Sequence, residues 1–188
     1  DYIITVNPQG QVNNPGAQFA CIDDAVTVNF TTNNTGGTTT YAWTNDNTDI
    51  GLGASGNGNI SFTAANATTA PITGNIEVTP TFTNGAQACE GPSQTFTITV
   101  NPDGQVNIIA DQQVCNGDPT ALVTFGTANT GGTTTYSWTN SLPSIGLAAS
   151  GSGPTIPSFN AVNTGTVPVT ATVTVTPTFE NGGQSCEG

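Results

Sequence analysis

The chain contains no lysine, arginine, histidine or methionine, while twelve aspartates and glutamates leave it at a formal charge of −12. Each absence excludes a class of function. Without cations the chain cannot neutralise phosphates, so nucleic-acid binding by the usual electrostatic route is out. Docking onto anionic lipid is out for the same reason. Without histidine there is no imidazole base, no Ser-His or Cys-His nucleophile and no histidine metal ligand. Without lysine there is no Schiff base and no lysine–asparagine isopeptide cross-link. No apolar run approaches the length of a membrane span, so direct membrane insertion is not expected, and the first residues do not read as a signal peptide. What remains is the chemistry of carboxylates, hydroxyls, amides and four thiols.

Hydrophobic residues make up 35% of the 188 and aromatic ones 7%. Low hydrophobicity with high net charge can signal disorder. Here charged residues are only 6%, and the bulk is neutral Thr, Asn and Gly. Abundant β-branched Thr and Val favour strands instead. The chain starts at Asp1, inside what reads as a strand, as expected of a mature piece of something longer.

The decisive pattern is an internal repeat. Val6-Asn7-Pro8-Gln9-Gly10-Gln11-Val12-Asn13 returns as Val100-Asn101-Pro102-Asp103-Gly104-Gln105-Val106-Asn107. The run from Thr35 to Asn45, with Tyr41 and Trp43, returns from Thr130 to Asn140 with one change, Ser137. Ile50-Gly51-Leu52 and Ala54-Ser55-Gly56 return as Ile145-Gly146-Leu147 and Ala149-Ser150-Gly151. Val78-Thr79-Pro80-Thr81-Phe82 returns at Val175 to Phe179, and Cys89-Glu90-Gly91 as Cys186-Glu187-Gly188. The offset grows from 94 residues (Val6 to Val100) to 97 (Cys89 to Cys186), so small insertions fall in the loops. Two copies of one domain of about a hundred residues is the economical reading.

Within each copy apolar residues alternate with polar ones between turn signals. Val26, Val28 and Phe30 alternate, as do Val123 and Phe125. Ile76, Val78 and Phe82 share one face, with Glu77 on the other, and Val173, Val175 and Phe179 match them. Phe96, Ile98 and Val100 make the last strand; Tyr2, Ile4 and Val6 are its counterpart at the chain start. Asn84-Gly85 and Asn181-Gly182 mark the turn between the last two strands. No stretch has helical periodicity. About seven short strands per copy, with Trp43 or Trp138 in the core, describe an all-β fold of tandem immunoglobulin-like β-sandwich repeats.

The expected organisation is residues 1–8 as the last strand of a preceding repeat, 9–102 as repeat 1, and 103–188 as repeat 2 lacking its last strand. A window cut from a longer array would look like this. So would a subunit that lends its first strand to a neighbour's open sandwich. Both predict an end-to-end polymer of sandwiches, and the continuous array is preferred, because a natural terminus seldom falls in a loop just beyond a cysteine.

Tyr-x-Trp-Thr-Asn, Ile-Gly-Leu-x-Ala-Ser-Gly, Val-Thr-Pro-Thr, Cys-Glu-Gly and Thr-Ile-Thr-Val-Asn-Pro, in that order, resemble the PKD-like repeats of giant bacterial surface proteins. Such repeats occur especially in Bacteroidota, including adhesins of the gliding-motility type. The resemblance covers nearly the whole chain in both copies and implies a secreted, Ig-like β-sandwich array of the cell surface. One departure is that ordinary PKD domains follow the central Trp with an acid-and-glycine turn, whereas Trp43 is followed by Thr44-Asn45.

Four cysteines in a chain of this kind read as disulfides. Pairing within a copy would join Cys21 to Cys89 and Cys115 to Cys186. Topology argues against it, because the first strand and the last hairpin put these cysteines at opposite poles of an Ig sandwich. A strand of six or seven residues separates the poles by roughly 20 Å, whereas bridged Cα atoms lie about 5.5 Å apart. The expectation is therefore Cys21–Cys186, with Cys89 and Cys115 reaching neighbouring repeats. No CxxC and no histidine accompany these thiols, which disfavours metal binding by them.

Acids are the other candidate site. Asp23 and Asp24, matched by Asp118, with Glu90 and Glu187, are expected to meet at the same domain junction, where carboxylates and carbonyls could hold Ca²⁺. The plainer reading is exposed, solubilising charge. Asp46 and Asp49 form a second cluster, which the second copy replaces with Asn140 and Ser144. Catalysis by a carboxylate pair is disfavoured, since Glu77, Asp46 and Asp49 are not kept as acids in the second copy. Sequons at Asn29, Asn33, Asn59 and Asn66 have no counterpart in copy two. The expected function is a non-enzymatic, structural or adhesive extracellular filament whose partners are neighbouring repeats or copies of itself. The competing expectation is a carbohydrate- or protein-binding module, which should expose an aromatic platform.

Overall fold

The computed structural model describes all 188 residues and divides into two compact units, Asp1–Asn101 and Pro102–Gly188. Strands dominate, as the alternation predicts, and the helical content is two single 3₁₀ turns at Thr48–Ile50 and Pro143–Ile145. Each turn ends on a glycine at positive φ, Gly51 or Gly146, a left-handed geometry that side chains resist.

Unit 1 contains β1 (Gln18–Cys21), β2 (Ala25–Val28), β3 (Thr38–Asn45), β4 (Ser55–Asn57), β5 (Ile60–Thr63), β6 (Ile72–Asn84), β7 (Gln87–Glu90) and β8 (Gln94–Asn101). One sheet has the order β1-β8-β6-β3-β4, with β7 on the far end of β6; β2 and β5 form a second sheet. β1 runs parallel to β8; the other pairs are antiparallel. Val28 and Ile60 of the small sheet meet Trp43, Ile76, Val78, Ile98 and Val100 of the large one in a single core. The unit is a β-sandwich, with polar side chains on the outer face of each strand.

The long strand β6 shows why the repeated Val-Thr-Pro-Thr motif exists. Gly74, Ile76, Val78, Pro80 and Phe82 point inward in strict alternation. Pro80 has no N–H to give to a ladder. It falls where the returning strand is broken, between the last β8 partner, Val78, and the first β7 partner, Thr81. Gly91 fills the gap by donating its N–H to the Pro80 carbonyl at 2.9 Å, and Gly188 does the same to Pro177 at 3.0 Å.

The Val-Asn-Pro-x-Gly segment is more than a connector. Gly10 donates to the Cys89 carbonyl at 3.0 Å, and a side chain at Gly10 would run into the Pro80 backbone. The Asn34 side chain holds the same segment at both faces, accepting from Gln11 N at 2.7 Å and donating to Gln9 O at 3.0 Å. Asn129 repeats both bonds in unit 2, with Gln105 and Asp103. Val12 and Val106 then pack onto the two cores.

Unit 2 repeats the plan with β9 (Val123–Thr124), β10 (Thr133–Asn140), β11 (Ser150–Ser152), β12 (Thr155–Ile156), β13 (Val173–Asn181) and β14 (Gln184–Glu187). Its sheets are β11-β10-β13-β14 and β9-β12. Nothing in it corresponds to β8, and the consequences follow the pairing. β13 begins at Val173, whereas β6 begins at Ile72, the counterpart of Val169. Residues 112–115, which match β1, form no strand. The buried core cluster has five residues against thirteen in unit 1. Val173 and Val175 stay half-buried, although their partners Ile76 and Val78 are fully buried.

Trp43 and Trp138 are core residues, as expected, at 8% and 6% exposure. Each ring lies across the neighbouring strand at a glycine, Gly56 or Gly151, where an added Cβ would overlap the indole. This is why Ala-Ser-Gly recurs in both copies. G151A should therefore destabilise unit 2 by roughly 1–3 kcal/mol, the usual cost of overpacking. Denaturant unfolding followed by tryptophan fluorescence measures it; an unchanged midpoint would contradict this account of the glycine.

Candidate functional site

Cys21 and Cys186 are disulfide-bonded, while Cys89 is a half-buried free thiol and Cys115 an exposed one. The register within unit 1 shows why Cys21 cannot reach Cys89. Cys21 pairs with Asn101 at the end of β1, level with the start of β6. Cys89 pairs with Phe82, near the other end of β6. The levels are ten residue steps apart along β6, from Ile72 to Phe82, or about 33 Å at strand rise. A disulfide spans Cα atoms only about 5.5 Å apart. The Cys21–Cys186 bond closes a loop longer than about 100 residues, for which the chain-entropy account gives roughly 4–5 kcal/mol.

The turn after Cys21 is built by the acids themselves. Asp24 accepts the Cys21 N–H on its carboxylate at 2.9 Å and returns its own N–H to the Cys21 carbonyl at 3.2 Å. Asp23 sits at positive φ in the same turn, a conformation that Asp tolerates better than most residues. Both are tied to Ala64, which accepts from Asp23 N and donates to Asp24 O, each at 2.8 Å. Gly117 and Asp118 rebuild this turn after Cys115, with Ala161 as the partner. Glu90 and Glu187 lie beside the other cysteines, opposite Thr81 and Thr178. Within unit 1, Glu90 and Asp24 are thus at opposite ends of the sheet. No group of three or more Cys, Asp or Glu side chains is placed to hold a metal ion.

Asp46 and its neighbours have a structural explanation. Asn75 donates its backbone N–H and its side-chain amide to the two Asp46 oxygens, each at 2.7 Å. The side-chain bond first, then the backbone one, holds this carboxyl below the usual aspartate range. The true counterpart in unit 2 is Ser141, not Asn140: Ser141 accepts from Thr172 N at 2.8 Å. Asn140 instead matches Asn45, and both are buried. Asn45 donates to Leu52 O at 2.9 Å and Asn140 to Leu147 O at 3.0 Å, each clamping the loop that follows the Trp strand. The Asn of the Thr-Asn pair that follows each tryptophan is that clamp.

The sequons divide by burial. Asn29, Asn33 and Asn59 are exposed. Asn66 is 4% exposed and spends its amide N–H groups on Ala70 O and Val100 O, so a glycan cannot be added there in the folded unit. The Tyr41 hydroxyl titrates higher than usual because burial disfavours its charged form, and a bond from Thr32 only partly offsets this. The indole N–H of each tryptophan is buried without an acceptor. A shallow, half-open cleft of about 360 Å³ runs beside Trp43, Gly56 and Glu77. The exposed aromatics are Tyr2 at 88% and Phe19 at 40%.

Further exposed residues near the open edge and the chain start are apolar. Val114 and Val169 stand 41% and 45% exposed along the uncovered edge of unit 2. At the chain start Tyr2, Ile4 and Val6 are 88%, 70% and 86% exposed and in no strand. Their signal is the likeness of residues 2–6 to β8.

Two measurements check this site. Peptide mapping without reductant should recover a Cys21–Cys186 link, and a Cys21–Cys89 link would contradict the register. Because the Asp46 carboxyl titrates low when folded, its contribution is present above the unfolded value of about 3.9 and lost as pH falls below it. The melting-temperature gap between wild type and D46N should close between about pH 5 and pH 2; a gap independent of pH would contradict it. Comparison of the chain with protein-family models and with curated proteins finds no match in either.

Proposed function

We propose that this chain is a stretch of an extracellular structural filament, made of tandem immunoglobulin-like, PKD-like sandwiches and exposed at a cell surface as an adhesive or supporting fibre. The observation that carries the reading is the disulfide joining Cys21 of one repeat to Cys186 of the next. Domain pairs in one chain ordinarily move about their linkers, and a second covalent tie beside the Asn101–Pro102 connection, at Cys21 level with Asn101, restricts that freedom. A disulfide also fits an oxidising compartment. No helix is long and apolar enough to cross a membrane.

The composition suits a passive fibre. With no lysine or arginine the chain offers trypsin-like proteases no cleavage site. The tryptophans lie in the cores, which leaves no indole platform for stacking against a sugar ring. The filament's contacts with its surroundings would run through neutral Thr and Asn faces.

Small-angle scattering tests the mechanical part. The oxidised chain should fit one conformer, and C21S/C186S should broaden to an ensemble with domain motion. Equal flexibility in both would contradict the role given to the bond. Strong, specific binding on a glycan array would favour a recognition module instead.

A further inference from the structure

Asn-Gly occurs four times in the sequence, at Asn57, Asn84, Asn116 and Asn181. The side-chain amide carbon of an asparagine is open to attack by the backbone nitrogen of the next residue, and glycine presents that nitrogen without a Cβ to hinder it. Where the glycine N–H is hydrogen-bonded, the bond must break before the nitrogen can turn to the side chain. The dipeptide alone ranks the four sites equally. The fold does not.

Asn57-Gly58 closes the turn after β4, and Gly58 donates its N–H to the Tyr41 carbonyl at 2.9 Å. Asn116-Gly117, in the turn after Cys115, is held twice. Gly117 donates to the Ala161 carbonyl at 2.8 Å, and Asn116 Oδ1 accepts from Asn163 N at 2.8 Å. Asn181, in unit 2, is half-buried.

Asn84-Gly85 is open. Asn84 is the last residue of β6 and pairs with Gln87, so Gly85 and Ala86 are the whole loop to β7. Gly85 has φ 60, and its N–H, at the hairpin tip, makes no hydrogen bond. Asn84, Gly85 and Ala86 are all exposed, and nothing lies within 4 Å of where a Gly85 Cβ would stand. The Asn84 side chain has one tie, its Nδ2 donating to Asn7 Oδ1 at 2.9 Å. That nitrogen is the leaving group. The carbon under attack and the oxygen that takes up charge stay open to water.

We propose that Asn84 is a site of spontaneous covalent modification, converted to aspartate and isoaspartate through a cyclic imide formed with Gly85. The Gly85 nitrogen bonds to Asn84 Cγ, the Cγ–Nδ2 bond breaks, and the NH2 group leaves with the Gly85 proton as ammonia. Water then opens the five-membered ring, its OH going to one of the two carbonyl carbons and its H to the ring nitrogen. Opening at Cγ leaves an aspartate on an ordinary backbone. Opening at the main-chain carbonyl leaves the backbone running through Cγ, one carbon longer. Nothing is oxidised or reduced. Either product adds a carboxylate to a chain that has no cation to offset it. The extra carbon falls in a two-residue loop, whose length fixes the register of β6 with β7. None of this depends on the filament reading.

The test incubates the full 188-residue chain in warm, mildly alkaline buffer and maps its peptides by mass spectrometry. A protease that cuts after aromatic residues is used, since trypsin finds no site. Asn84 should gain the mass that exchange of NH2 for OH brings, in two products that separate by chromatography. It should do so at least about fivefold faster than Asn57 or Asn116, whose glycine N–H bonds must first break. In denaturant the three should react at similar rates, because those bonds are gone. An Asn84 that stays intact in the folded chain, or reacts no faster there than Asn57 and Asn116, would overturn the proposal.

Discussion

β8 is the strand on which the closure of each sandwich depends. It sits inside the large sheet of unit 1, giving its N–H and C=O groups to β6 on one side and β1 on the other, and puts three large side chains into the core. Burying each of these contributes about 1.5–3 kcal/mol. Unit 2, with a closely similar sequence and no such strand, shows what depends on it. The long inner strand loses its first four residues, the first strand does not form, and the valines facing the gap are left half-wet. Two copies in one chain thus compare a closed sandwich with an open one.

The dependence is strong because the chain has few other means of holding itself together. No side-chain ion pair can form without a basic residue. Short polar side chains act as pins instead. Asn34 and Asn129 fasten the entering segment, Asn45 and Asn140 close the loop after the Trp strand, and Asn66 ties a crossing loop to Val100. Each such bond contributes on the order of 1 kcal/mol, and losing one partner of a buried pair costs more. The Asn and Thr content that makes the sequence look low in information is where this bonding resides.

Much of this was legible in the sequence, because period-2 alternation and a repeat are long-range signals. The two copies, the buried Trp43 and Trp138, the Asn-Gly hairpins and the Cys21–Cys186 pairing all follow from which face and which pole a residue occupies. Single-residue roles were less legible. Gly10 and Pro80 recur as motifs, but only the register shows that the proline breaks the ladder and that glycine lets the entering segment close over it. Ser141 follows as the counterpart of Asp46 from the repeat of Thr35–Asn45 as Thr130–Asn140, but that both residues accept from the strand beside them, Asn75 or Thr172, is seen only in the hydrogen bonds. The exposure of Val114 and Val169 could not be seen from their own identity, since it reflects the absence of a strand beside them of the kind that β8 supplies in unit 1.

Amide hydrogen exchange on the monomeric chain tests most directly whether closure rests on that strand. Residues 72–78 and 18–21 should be protected at least about a hundredfold more than their counterparts, 169–175 and 112–115. Equal protection in the two units would contradict it, since unit 2 would then be closed without any β8.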